Sequence, residues 1–218
     1  MTGRCVAFID ISPRLSARLA VWPGDTAPSR EVILDLREGA SVTLSTLHAT
    51  VHLGAHADAP SHYGADAPSI ESRDLSLYIG PCQVVRVPAP PRTRVSLTDL
   101  CTDIHAERVL IATGSFPDPE RFTEEFAALD PALVDALHAR GVRLVGIDTP
   151  SVDLFDDRVL LAHHRFLAHD MAILEGLVLC DVPEGDYELI APPLALEGFD
   201  ASPVRALLRP LTAAREPS

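Results

Sequence analysis

The stretch His52-Leu53-Gly54-Ala55-His56-Ala57-Asp58-Ala59-Pro60-Ser61-His62 constrains this chain more than any other. Side chains able to hold a metal or carry a proton fall at even positions: His52, His56, Asp58 and His62. Gly54 and Pro60 take the alternate even positions and put no long side chain in the way. On extended backbone, residues i, i+2 and i+4 share a face. The spacing therefore predicts that His52, His56 and Asp58 converge, with Gly54 leaving room between the imidazoles. Two histidines and a carboxylate are ordinary ligands for a divalent transition metal. Residues 41–53, SVTLSTLHATVHL, are rich in β-branched side chains and read as a long strand leading into the cluster.

A second anomaly lies downstream. His163, His164 and His169 precede Glu175, which sits between Met171-Ala172-Ile173-Leu174 and Leu177-Val178-Leu179. A carboxylate in such a run is expected to be buried, which is costly unless it is paired or metal-bound. One straight helix from His163 to Glu175 would hold them roughly 18 Å apart. If both serve one centre, the helix must stop between them, around His169 and Asp170.

A chain of 218 residues is long enough for one large domain, 1–218, with a substantial core. The formal net charge of −13 argues against nucleic acid and against an anionic membrane surface as partners. No apolar run approaches a membrane span, and the N-terminus lacks the apolar length of a signal peptide, reading instead as a first strand. Cys5, Cys82, Cys101 and Cys180 are scattered without a Cys-x-x-Cys, which argues for a reducing, cytoplasmic setting rather than a disulfide or thiolate-zinc scaffold.

Residues 84–87 and 109–113 read as strands. Asp130-Pro131 opens a helix with Leu133, Val134 and Leu137 on its apolar face, and Gly141 ends it. A strand follows at 142–147, which implies a parallel βαβ pair and a mixed α/β class. Residues 177–182 and 187–190 read as strands around the turn Pro183-Glu184-Gly185-Asp186.

The two clusters together resemble the metal-dependent cyclase family, in its kynurenine formamidase branch. That family's signature is His-x-Gly-Thr-His-x-Asp-x-Pro-x-His, and this chain departs from it only at Ala55. The likeness continues through VWPGD (21–25), GIDTPSVD (146–153), HDMAILEGLVL (169–179), VPEGDYELIAPPL (182–194) and DASPVRALLRPL (200–211). Residues 154–158, LFDDR, depart from the branch's usual loop. The resemblance implies a three-layer mixed-sheet fold of the swivelling β/β/α, cyclase-like kind, a homodimer, and two zinc ions per subunit. It implies His52, His56 and His163 as metal ligands and Asp58 and Glu175 as bridging carboxylates. His62 matches the acid/base residue, and Trp22 the aromatic side chain that packs on the substrate ring. The implied reaction is hydrolysis of N-formyl-L-kynurenine to L-kynurenine and formate, in tryptophan breakdown. The alternatives are a related amide or lactam hydrolase of the isatin type, and a metal-binding protein without catalysis. Asp25, Asp148 and Ser151 are expected to fix loops, and His48, His105, His138 and His169 to be structural.

Overall fold

A computed structural model describes residues 8–211. In chain order its elements begin with β1 (Ile9–Asp10), β2 (Ser29–Leu34), β3 (Leu44–His48), β4 (His56–Asp58) and β5 (Ile79–Arg86). There follow β6 (Arg94–Val95), β7 (Arg108–Ala112), β8 (Ala128–Leu129), α1 (Pro131–His138), β9 (Leu144–Ile147), α2 (Leu161–Ala168) and β10 (Ala172–Glu175). The last are β11 (Gly185–Ile190), β12 (Ala201–Pro203) and β13 (Leu207–Pro210). Of the expected N-terminal strand, residues 1–7 lie outside the described residues. No helix among the described residues is long and apolar enough to cross a membrane.

Nine strands form one mixed sheet in the order β1-β13-β11-β5-β7-β9-β10-β4-β12. Its centre, β5-β7-β9-β10, is parallel, and the flanking strands are antiparallel. The central strands are buried on both faces, so they read as apolar runs rather than alternations. Val85, Val109, Ile111, Val145, Ile147 and Ile173 face α1 and α2. Val84, Leu110, Leu144 and Leu174 point the other way, into a second core. There they meet Tyr187, Leu189 and Leu208 from the far strands and Ile11 just after β1, because the sheet curls over on itself. Helices, central sheet and curled-back strands make the three layers of a mixed α/β fold.

The βαβ reading holds: β7 and β9 are parallel, with α1 between them in the chain. Asp130 caps α1 by accepting from the Ala132 N–H at 2.7 Å. Gly141, at φ +86°, turns the chain out of the helix end. The break required between His163 and Glu175 also falls where the spacing demands. Helix α2 ends at Ala168, and Asp170 takes a left-handed φ of +51°.

Two expected strands differ. Residues 41–53 do not run as one strand: β3 stops at His48, and residues 49–55 form a loop before β4. Within that loop Gly54 takes a φ of +57°, which is incompatible with extended backbone, so the strand cannot run on through it. Residues 177–182 are not a strand either. Gly176, at φ +65°, ends β10 and leaves Leu177 and Leu179 buried in a loop, where Val178 donates to the Ile11 carbonyl. An apolar run signals burial; only a pairing edge makes it a strand.

Candidate metal centre

Strand register builds the first part of the site. β4 and β10 pair antiparallel with His56 opposite Glu175 and Asp58 opposite Ile173. Opposed residues share a face, as do residues two apart. His56, Asp58 and Glu175 therefore project together to the side where Ile173 meets the helices. From that layer α2 adds His163, which is buried, whereas His164 is exposed. His52 comes from the loop before β4, so only His56 and Asp58 of the expected trio share a strand.

Gly54 and Gly176 let these segments meet. A Cβ on Gly176 would lie 2.1 Å from the Gly54 carbonyl oxygen. Gly54 thus provides a left-handed turn and a close backbone approach, more than the expected space between imidazoles.

The result is three overlapping groups: His52/His56/Asp58 and Asp58/His163/Glu175, with Asp58 common to both, and His52/His62/Asp200, which shares His52 with the first. His52 Nδ1 stands 3.1 Å from Asp58 Oδ1, and His56 Nε2 stands 3.5 Å from the same oxygen. His163 Nε2 lies 3.5 Å from Asp58 Oδ2 and 3.6 Å from Glu175 Oε1, and His56 Nε2 lies 3.4 Å from Glu175 Oε2. Each imidazole is held through its other nitrogen. His56 Nδ1 donates to the Gly54 carbonyl at 2.9 Å. His163 Nδ1 pairs with Asp153 Oδ2 at 2.8 Å, and His52 Nε2 with Asp200 Oδ2 at 3.1 Å. Outer partners of this kind orient histidine ligands in metal sites.

The buried polar atoms fit a cation. His56 Nε2 and both carboxylate oxygens of Asp58 are buried with no hydrogen-bond partner among the described residues. Leaving such atoms unsatisfied is expensive, roughly 1–3 kcal/mol each and more for a charge. Imidazole nitrogens and carboxylate oxygens around a common centre are the donor set of a divalent metal. The site's own charges lean the same way. Burial pushes the Asp58 carboxyl up, but His163 and His52 outweigh it and hold the group well below the ordinary carboxylate value. Burial opposes protonation of His52 and His163. Asp58 and Asp200 nevertheless raise His52 to about 9, and Asp153 with Asp58 and Glu175 raises His163 to about 10.

A cavity of about 630 Å³ opens beside these groups and reaches His52, His56, His163 and Glu175. Its wall includes Trp22, Phe116 and Phe122. Phe155 packs against Trp22 with ring centres 4.9 Å apart. The divergent 154–158 loop therefore backs the aromatic wall, a role the sequence reading left open. His62 also lines the cavity, carried by a short turn, Pro60–His62, directly after β4. It stands apart from the atoms shared by Asp58 and Glu175, with Nδ1 3.3 Å from Asp200 Oδ2.

Asp153 and Asp200 escaped the sequence reading. Both are loop carboxylates, and neither carries a spacing signal to the histidines it touches. Asp148 fixes a loop as expected, accepting from Thr113 N at 3.0 Å and Gly114 N at 2.8 Å; burial raises its pKa. His48, His105 and His169 pair with Glu31, Asp186 and Asp135 away from the centre. His138 stacks on His169.

Solved structures share this fold. The structure of a "potential metal-dependent hydrolase with cyclase activity" aligns at a TM-score of 0.80 and 28% identity, over 93% of this chain and 96% of its own. A "predicted metal-dependent hydrolase from Bacillus stearothermophilus" aligns at 0.77 and 27%, over 93% and 97%. Isatin hydrolase A from Labrenzia aggregata, bound to benzyl benzoate, shares the fold at 0.79 with 21% identity, over 93% of each chain. The Cyclase family model, "Putative cyclase", matches residues 9–154. That is more than half of the sequence, and the chain belongs to the cyclase family.

Proposed function

We propose that this chain is a metal-dependent arylformamidase that hydrolyses N-formyl-L-kynurenine to L-kynurenine and formate, with residues 1–218 as one catalytic domain. The observation that carries the reading is the set of buried, unpartnered His56 and Asp58 atoms beside an aromatic-walled cavity. His52, His56, Asp58, His163 and Glu175 would hold two zinc ions. When bound, such ions lower the pKa of a coordinated water from 15.7 towards ~7 and polarise a carbonyl oxygen.

The chain's own side chains supply the rest. Trp22, with Phe116 and Phe122, gives an aryl group a flat apolar wall. His62 takes a proton from water as the oxygen–carbon bond to the formyl carbon forms. It then returns a proton to the aryl nitrogen as the carbon–nitrogen bond breaks, so that the amine leaves neutral. Formate and the aryl amine are the balanced products.

A homodimer and a cytoplasmic setting belong to the same proposal. The β2-β3 hairpin is exposed along its whole length and carries Val32, Ile33, Leu34, Leu44 and Leu47. An isolated two-stranded ribbon is marginal in water, which supports a second copy covering it. Among the described residues Cys82, Cys101 and Cys180 form no disulfide, which suits a reducing compartment.

Isatin hydrolases with this fold, one bound to the product analogue thioisatinate, favour a second reading: opening of a cyclic aryl amide. The deciding experiment measures turnover of N-formylkynurenine and of isatin side by side, before and after chelation, with metal stoichiometry per chain. Chelator-sensitive turnover of the formamide supports the first reading. Turnover of isatin alone selects the second. Metal binding without hydrolysis of either leaves a non-catalytic metal-binding protein.

A further inference from the structure

The most unusual group that the proposed mechanism has not used is Asp200. One of its oxygens, Oδ2, faces two histidines at once: His52 Nε2 at 3.1 Å and His62 Nδ1 at 3.3 Å. The two rings lie 4.2 Å apart between centres. Backbone anchoring makes this meeting reproducible. Ala59, next after β4, donates its N–H to the Asp200 carbonyl at 2.9 Å and accepts from the His62 N–H at 3.0 Å. β12 continues from Asp200 along β4, with Ala201 opposite Asp58. Asp200 and His62 thus hang from a single residue of the strand that carries Asp58.

We propose that Asp200 is the positioning residue for His62, fixing it as the Nδ1–H tautomer with the Nε2 lone pair turned away from the carboxylate and available as the base. A neutral imidazole has one N–H and one lone pair, and the partner of one nitrogen decides which is which. A carboxylate oxygen only accepts, so His62 must present its N–H at Nδ1. The same oxygen faces His52 Nε2, whose ring meets a second carboxylate through Nδ1, 3.1 Å from Asp58 Oδ1. One carboxylate therefore sets the tautomer of the proton carrier and also anchors a neighbouring metal-site histidine. This inference rests on the acid/base role proposed for His62, and its test separates the two.

The test uses the metal-loaded full chain and the variants Asp200→Asn and Asp200→Ala. Ring ¹⁵N spectra, with His62 identified by its loss in His62→Ala, report the tautomer without any turnover. The expected spectrum is Nδ1–H in the wild type, with loss of that preference in Asp200→Ala. At saturating metal the stoichiometry should stay at the wild-type value in both variants, while metal affinity weakens because His52 loses its outer partner. With N-formylkynurenine, kcat should fall roughly 10- to 100-fold, the usual range for outer partners of a site histidine, while KM holds. The double variant His62→Ala/Asp200→Ala should be no slower than His62→Ala alone, because residues acting as a unit are not additive. An unchanged His62 tautomer in Asp200→Ala overturns the proposal, as does, with metal saturating, a double variant slower than His62→Ala. If the wild type hydrolyses neither the formamide nor isatin, the functional reading fails, and the ring ¹⁵N spectra still decide the positioning.

Discussion

His62 differs from His52, His56 and His163 in its surroundings more than in its spacing. The other three turn a nitrogen towards Asp58, whereas His62 stands one turn beyond β4 and is over a third exposed. It should therefore be dispensable for metal and costly for turnover. His62→Ala is expected to keep wild-type metal content while kcat drops roughly 10²–10⁴-fold, the scale of a lost general acid/base. Metal analysis alongside rate assays checks this, and a variant short of metal would make His62 a ligand instead. The seven residues singled out in the sequence, from Trp22 to Glu175, all reach one site; five of them stood out locally, whereas His163 and Trp22 were marked only by the family resemblance. Histidines at even spacing and a carboxylate inside an apolar run have few bland explanations. Asp153 and Asp200 were illegible for the converse reason: an acidic loop residue is ordinary in any sequence, and only folding shows what it touches.

Elements tell a different story, because segments meet only where backbone geometry permits. The meeting of the 49–55 loop with the end of β10 depends on Gly54 and Gly176, both at positive φ. Gly176→Ala adds a left-handed penalty of roughly 1–2 kcal/mol to a direct clash with the Gly54 carbonyl. The expected result is a lower Tm and weakened metal retention together, because His52 and Glu175 are displaced relative to one another. Thermal denaturation with and without chelator checks it; a variant with wild-type Tm and metal content would show the contact to be unimportant. The sequence pattern located α1, β7 and β9, whose signals are a local cap and apolar runs, while the end of α2 followed from the distance a shared centre imposes on His163 and Glu175. It misread 41–53 and 177–182, whose fate was decided by those two glycines and by distant pairing edges. The β2-β3 hairpin is the element whose sequence is least explained by the chain alone. Leu34 and Leu44 face each other across it and both are exposed. Replacing both with Lys should leave the fold intact and convert the proposed dimer to monomer, read by light scattering. An unchanged mass would place the subunit contact elsewhere or remove it.

At the scale of the molecule, the centre ties together segments more than a hundred residues apart, 52–58 and 163–175. A ligand that binds only the folded chain stabilises it by mass action, about 2.7 kcal/mol at a hundredfold excess over Kd. For a chain of this length that is roughly 5–10 °C in Tm. The pH dependence follows from the two raised histidines. Without metal, His52 titrates near 9 and His163 near 10 in the folded state, against an ordinary value of 6.5. The folded state therefore holds more protons than the unfolded chain across that interval. The stability these charged imidazoles provide is complete below 6.5 and is lost as pH rises through 9 and 10. Metal needs the same nitrogens bare, so binding releases their protons and affinity rises with pH over that range. The gap in Tm between metal-loaded and chelated protein should therefore widen from pH 6.5 to pH 8.5. Calorimetry at pH 7.5, repeated in buffers of different ionisation enthalpy, should record protons released per metal bound. A gap that stays constant or narrows, or uptake without proton release, would mean that His52 and His163 are already neutral in the metal-free protein and that the carboxylates around them do not hold their charge.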